Sequence, residues 1–164
     1  MSNLKLKLWK KVKKEKFKSI DDCFKKLKKR KIILSPWIEN IFKNKKNKIK
    51  YNHKDFYLYR VNVKKLGFKK ATKLKLIYRE LKKRNFNLVP PDVALRARFE
   101  YLDQKKGEWL RFATPFNAMI DTDGIPHLPK LGYALGKYFI ETYWSYPDAI
   151  FHPHNEFIVI KNEK

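Results

Sequence analysis

The sequence predicts an α+β fold in a single compact domain, with three helices in the first half packed on a mixed or antiparallel sheet and a strand-rich C-terminal half. Three features lead there. Apolar residues recur at helical spacing in three stretches before residue 89, and short runs rich in β-branched and aromatic residues dominate after residue 90. The two patterns do not alternate regularly, which argues against a doubly wound parallel sheet. A chain of 164 residues can bury one core of ordinary size. Residues 1–89 and 90–164 are therefore expected as two parts of one domain, the first basic and the second near neutral.

In chain order, Leu4, Leu6 and Leu8 alternate with Lys5 and Lys7, the pattern of a half-exposed strand. Ser19 reads as a helix N-cap, with Asp21 and Asp22 where the helix dipole favours negative charge. Ile20, Cys23, Phe24 and Leu27 then form one apolar stripe, which makes Cys23 an inert core thiol. Ser35-Pro36 starts a second helix, with Trp37, Ile38, Ile41 and Phe42 on its buried side. Residues 43–50 read as a mobile, charged loop, and 56–63 (FYLYRVNV) as a central strand. Gly67 breaks the chain before the longest helix, 69–84, whose stripe is Ala71, Leu74, Ile77, Tyr78 and Leu81.

Pro90-Pro91 ends whatever precedes it. One turn is expected at 92–95 and a strand at 96–101, with Lys105-Lys106-Gly107 as a hairpin loop into the next strand, 108–113. Residues 121–124 form a tight turn, and 138–143 and 157–160 complete the strands. No internal repeat is visible.

Several strings are shared with a known group. They are Leu66-Gly67-Phe68 with Ala71-Thr72 and Ile77-Tyr78, Pro91-x-Val93, Leu95-Arg96, Tyr101-x-Asp103-Gln104, Gly107-Glu108-Trp109-Leu110, Asp121-x-Asp123-Gly124 and Pro147-Asp148. In these, and in Trp9-Lys10 and the region of Trp37, the chain resembles a family of small bacterial hypothetical proteins with no known function, most specifically over residues 66–124. The resemblance implies no catalytic residue. Members of that family are not uniformly basic, so the charge of this chain is a departure. Where they carry a more acidic segment after the Asp-x-Asp-Gly turn, this chain has Ile125-Pro126-His127-Leu128-Pro129.

The formal charge of +24 is unevenly spread. Residues 1–89 hold 31 of the 40 Lys+Arg and 6 of the 16 Asp+Glu, a balance of +25, whereas residues 90–164 come to −1. Such a footprint is what a polyanion-binding surface looks like in sequence. Lys outnumbers Arg by 33 to 7, which AT-rich codon usage also produces and which suits backbone contact better than base reading. The leading expectation is a non-enzymatic protein binding RNA or DNA through Lys25, Lys28, Lys29 and Arg30 on the first helix and Lys73, Lys82, Lys83 and Arg84 on the long one. Lys45, Lys46 and Lys48 would extend that surface as an arm. Tyr57 and Tyr59 share a strand face and, flanked by lysines, could stack bases.

Two other readings use the second part. Trp144, Tyr146 and Phe151, exposed together, would hold a protein partner or small ligand. Asp121, Asp123, His127, His152 and His154 would be the ligands of a metal-dependent hydrolase. No cofactor is expected, because the five glycines are scattered and no phosphate-binding loop or nucleophile elbow occurs. Paired acids such as Glu100 and Glu108 read as strand-face charges, and no catalytic residue is assigned. With 43% hydrophobic residues the chain is expected to fold. It lacks an apolar run of about 20 residues, so no membrane span is expected, and neither is a signal peptide. One cysteine fits a reducing cytoplasm.

Overall fold

The computed structural model describes residues 4–14, 17–51 and 54–161. The alternation that begins at Leu4 becomes a strand only at β1 (Leu8–Val12). Helix α1 (Ile20–Lys29) starts where Ser19 Oγ accepts the Asp22 amide at 3.1 Å, and it buries Cys23, Phe24 and Leu27. After β2 (Ile33–Leu34) comes α2 (Pro36–Lys43), capped by Ser35 Oγ on the Ile38 amide at 3.3 Å. The charged loop that follows is pinned at a single 3-10 turn, Lys45–Asn47. There the Asn47 amide group donates to the carbonyls of Ile41 and Ile120, and its oxygen accepts from the Ile120 amide, each at 2.9 Å.

Strand β3 (Phe56–Asn62) leads through a 3-10 turn closed by Gly67 at φ 97 to β4 (Thr72–Lys73) and α3 (Leu74–Lys83). The predicted long helix thus loses its first turn: Ala71 is exposed, and Thr72 and Lys73 are drawn into strand pairing instead. Then follow β5 (Phe86–Asn87), α4 (Asp92–Glu100), β6 (Trp109–Phe112), β7 (His127–Ala134), β8 (Lys137–Trp144), β9 (Ile150–Phe151) and β10 (Glu156–Lys161).

The expectation of three helices is corrected to four, set against a large mixed sheet of eight strands. The strand expected at 96–101 is not formed. Residues 96–100 belong to α4, every residue of which from Asp92 to Phe99 is buried, and Tyr101 is its C-cap. A helix enclosed on all sides has no polar face, so it leaves no one-sided apolar stripe. Lys105-Lys106-Gly107 consequently joins a helix to a strand, with Gly107 at φ 81, and is not a hairpin loop. Strand β7 was not predicted. At Pro129 it has run past its last pairing with β6, Lys130 opposite Arg111, so the missing amide hydrogen costs no ladder bond there.

The sheet runs β1-β3-β10-β6-β7-β8-β2, with β5 extending the β6 edge of β10. The β10–β6 and β2–β8 pairs are parallel and the others antiparallel. Strand β3, from the basic part, lies between β1 and β10, so both parts of the chain share the sheet. Successive side chains of β10 face opposite ways. Ile158 joins one core with Leu58, Leu110, Ile140 and the buried faces of α1, α2 and α4. Phe157 and Val159 join a second core with Val61, Leu128, Phe151 and the buried face of α3. Helices α1 and α3 therefore cover opposite faces of the sheet.

Candidate functional site

Period-two alternation along β3 sends Phe56 and Leu58 into the first core and turns Tyr57 and Tyr59 to the α3 side. Tyr59 packs on the second core, its ring 6.2 Å from that of Phe86, while Tyr57 is 47% exposed. Each ring carries a cation: Lys11 Nζ lies 5.4 Å from the Tyr57 centroid and Lys161 Nζ 5.4 Å from that of Tyr59. Both tyrosines, with Lys54, Asn87 and Lys161, line an open cavity of about 440 Å³. The acid at its rim, Asp55, accepts the Lys14 amide at 2.8 Å and pairs with Lys11 at 3.3 Å, contacts that hold its carboxyl below the usual range.

The predicted cations fall into separate groups. Lys25, Lys28, Lys29 and Arg30 are exposed on α1, with Lys28 paired to Glu39 and Arg30 lying 5.0 Å from the Phe99 ring. Lys45, Lys46 and Lys48 are exposed around the pinned 3-10 turn. On the opposite face of the sheet, Lys73 sits 3.7 Å from Asp148 and Arg84 pairs with Glu80 at 2.9 Å. Lys82 and Lys83 are exposed there, with no carboxylate partner among the described residues. This α3 group shares its side of the sheet with Tyr57 and Tyr59. From Lys83 the chain turns at Asn85 (φ 63) into β5, whose Asn87 lines the tyrosine cavity.

The predicted aromatic triad is not exposed together. Trp144 and Tyr146 are 60% and 44% exposed, but Phe151 is 1% exposed. Pairing of β9 with β4 turns its ring inward, 5.0 Å edge-on from Phe157 and 5.3 Å from Tyr143.

The five predicted metal ligands are also divided. His127 Nε2 and Asp121 Oδ2 lie 2.8 Å apart, both buried, and His127 Nδ1 is 3.0 Å from Thr142 Oγ1. Asp121 Oδ1 accepts the amides of Asp123 and Ile125 at 2.8 and 2.9 Å. Burial would raise the Asp121 carboxyl, but these bonds hold it below the usual range. Asp123 itself is exposed. His152 and His154 stack on each other, centroids 5.9 Å apart, in the exposed turn between β9 and β10. Among the described residues no group of three or more His, Cys, Asp or Glu is placed to hold a metal ion.

A polar cluster escaped the sequence reading. Arg60 forks onto Glu156, with Nε to Oε2 at 2.9 Å and Nη2 to Oε1 at 2.6 Å, and Nη2 also donates to Glu108 at 3.1 Å. The Tyr101 hydroxyl donates to the other Glu108 oxygen at 2.5 Å. Burial would lower the Arg60 pKa, yet the two carboxylates raise it. Burial, and then Glu108, push the Tyr101 hydroxyl up. With both acids engaged, the cluster offers no free base; it clamps β3, β6 and β10 to the end of α4. Tyr101 and Glu108 lie in strings that the sequence singles out, but Arg60 and Glu156 stand 96 residues apart and carry no local signal.

No helix among the described residues is long and apolar enough to cross a membrane. No family model, no curated protein and no solved structure matches the chain, so the likeness to small bacterial proteins of unknown function brings no activity to these residues.

Proposed function

We propose that the protein is a non-enzymatic nucleic-acid-binding protein that contacts the backbone of RNA or DNA largely without regard to sequence. The observation that carries this reading is the Tyr57–Tyr59 face: two tyrosines, each with a lysine ammonium over its ring, on the side of the sheet that also bears the exposed Lys82 and Lys83. Aromatic rings accept any base by stacking, at roughly 1–3 kcal/mol per base, while lysines neutralise phosphates and release counterions. Such a surface favours single strands, whose bases are free to stack. The cations of α1 face the other way and are not needed for this contact.

The test is binding of labelled single-stranded RNA, single-stranded DNA and duplex DNA across a salt series. Micromolar affinity with a steep salt slope is expected, about 0.7 in log K per log salt for each single-strand phosphate neutralised. Tyr57→Ala with Tyr59→Ala, or Lys82→Glu with Lys83→Glu, should weaken it roughly tenfold or more, while Lys25→Glu with Lys29→Glu should change it far less. Absence of binding at low salt, or binding that ignores salt, refutes the proposal. An equal loss from the α1 reversals would remove the tyrosine face as its basis.

A further inference from the structure

We propose that Arg111 and Lys130, side by side on β6 and β7, form a site for a phosphate group carried by a small phosphoester. The two residues are direct cross-strand partners, so their side chains leave the same face of the sheet. Tyr143 brings them together: the Arg111 guanidinium carbon is 5.5 Å from its ring centroid and the Lys130 ammonium 5.4 Å. Phe151 lies 5.8 Å from Arg111 on one flank, and Trp109 lies 4.7 Å from Lys130 on the other. Trp109 is itself laid flat on Gly132, where even a methyl group would come within 2.2 Å of the ring.

Two like charges half-buried in an aromatic frame are costly unless an anion joins them. Among the described residues no carboxylate pairs with both. Among the described residues neither side chain forms an ion pair or side-chain hydrogen bond, and Arg111 Nε is buried without any hydrogen-bond partner. Glu141, across the strand pair from Lys130, attracts it only at a distance, and Glu108 and Glu156 are occupied by Arg60. Both cations are correspondingly less basic than usual, through burial and, for Lys130, the charge of Arg111. A recess of about 350 Å³ opens on Arg111 between Trp109 and His154; Glu108 and Glu156, both held by Arg60, also line it, and Lys130 lies outside its lining. A guanidinium fork beside an ammonium suits the oxygens of one phosphate. The site lies in the near-neutral part of the chain and does not depend on the lysine surface.

Thermal melting in inorganic phosphate, with sodium chloride adjusted to constant ionic strength, tests this. The wild-type melting temperature should rise with millimolar phosphate, and Arg111→Gln and Lys130→Gln should each lose the rise or need roughly tenfold more phosphate. Without phosphate, each variant should melt no lower than wild type, because a repulsion has been removed. Lys130 is half-exposed, so its variant carries the test should Arg111→Gln not fold. Lys82→Glu with Lys83→Glu should keep the full response. A parallel series in adenosine monophosphate separates a free phosphate from a nucleotide: a stronger response than to phosphate places the base on the aromatic frame, and an equal one leaves the phosphate group alone as ligand. No rise in wild type, the same rise in both glutamine variants, or loss of the rise in the Lys82/Lys83 variant would overturn the proposal.

Discussion

Among the described residues, the lysines of 1–89 other than the half-buried Lys10 are exposed and only Arg60 and Arg84 are drawn partly inward, whereas residues 90–164 draw four of their nine cations, Arg96, Arg98, Arg111 and Lys130, partly or wholly inward. Arg98 is 0% exposed. It donates to Gln104 Oε1 at 2.8 Å, to the Gly132 carbonyl at 3.2 Å and to the Tyr101 carbonyl, and its guanidinium carbon lies 4.7 Å from the Tyr138 ring. Burial pushes its pKa down to about 10. Three of the four inward cations are arginines, while the exposed surface is almost all lysine. A planar fork can satisfy several carbonyls at once, and a strongly hydrated ammonium is better left outside. Net charge therefore describes the first part well and the second part poorly: a balance of −1 conceals cations that organise the interior.

The largest effect should come from breaking that interior. Arg98→Met keeps side-chain length but leaves the Tyr101 and Gly132 carbonyls and Gln104 Oε1 without their donor. Leaving a buried acceptor unpaired costs about 1–3 kcal/mol each, offset in part because the desolvated charge is also removed. Urea unfolding should show a midpoint lowered accordingly, with an unchanged slope. A midpoint equal to wild type would mean that the buried guanidinium contributes nothing net, and the contrast between the two parts would lose its energetic content.

A second variant acts at Gly132, whose carbonyl Arg98 holds, but on the other face of the sheet and without touching charge. Gly132→Ala places a methyl 2.2 Å from the Trp109 ring, so either the indole or the strand must move. Overpacking of this kind costs about 1–3 kcal/mol. The double variant with Trp109→Leu should recover part of the loss, because the two changes share one contact. Independent, additive losses would show that Trp109 does not depend on that glycine.

The same contrast explains what the sequence discloses and what it withholds. Helices α1 and α2 are legible because their caps and stripes lie within a few residues: Ser19 with Asp22, Ser35 with Pro36, one buried side each. The Tyr57–Tyr59 face is legible because alternation is a local property of a strand. Helix α4 is not: residues 96–101 read as a strand, and Arg96 and Arg98 are among the most deeply buried of the described residues. Nor is the inward turn of Phe151, which depends on a strand pairing with Thr72. Partnerships such as Arg60 with Glu156 and Arg98 with Gln104 are set by topology, and charge counting treats their members as surface.

The smallest effect on stability is expected from the exposed lysines of the first part, and it is the sharpest check on the contrast. Lys25 and Lys29 stand on the outer face of α1 with no carboxylate partner among the described residues. Lys25→Gln with Lys29→Gln should change unfolding free energy by no more than about 0.5 kcal/mol, as surface substitutions away from special contacts do. The sign is informative. Removing two charges from a chain of net charge +24 relieves self-repulsion, so a slight gain at low salt that fades at high salt is expected. A loss comparable to that of Arg98→Met would mean that the lysine surface helps hold the fold, and it would then be a structural feature before it is a binding one.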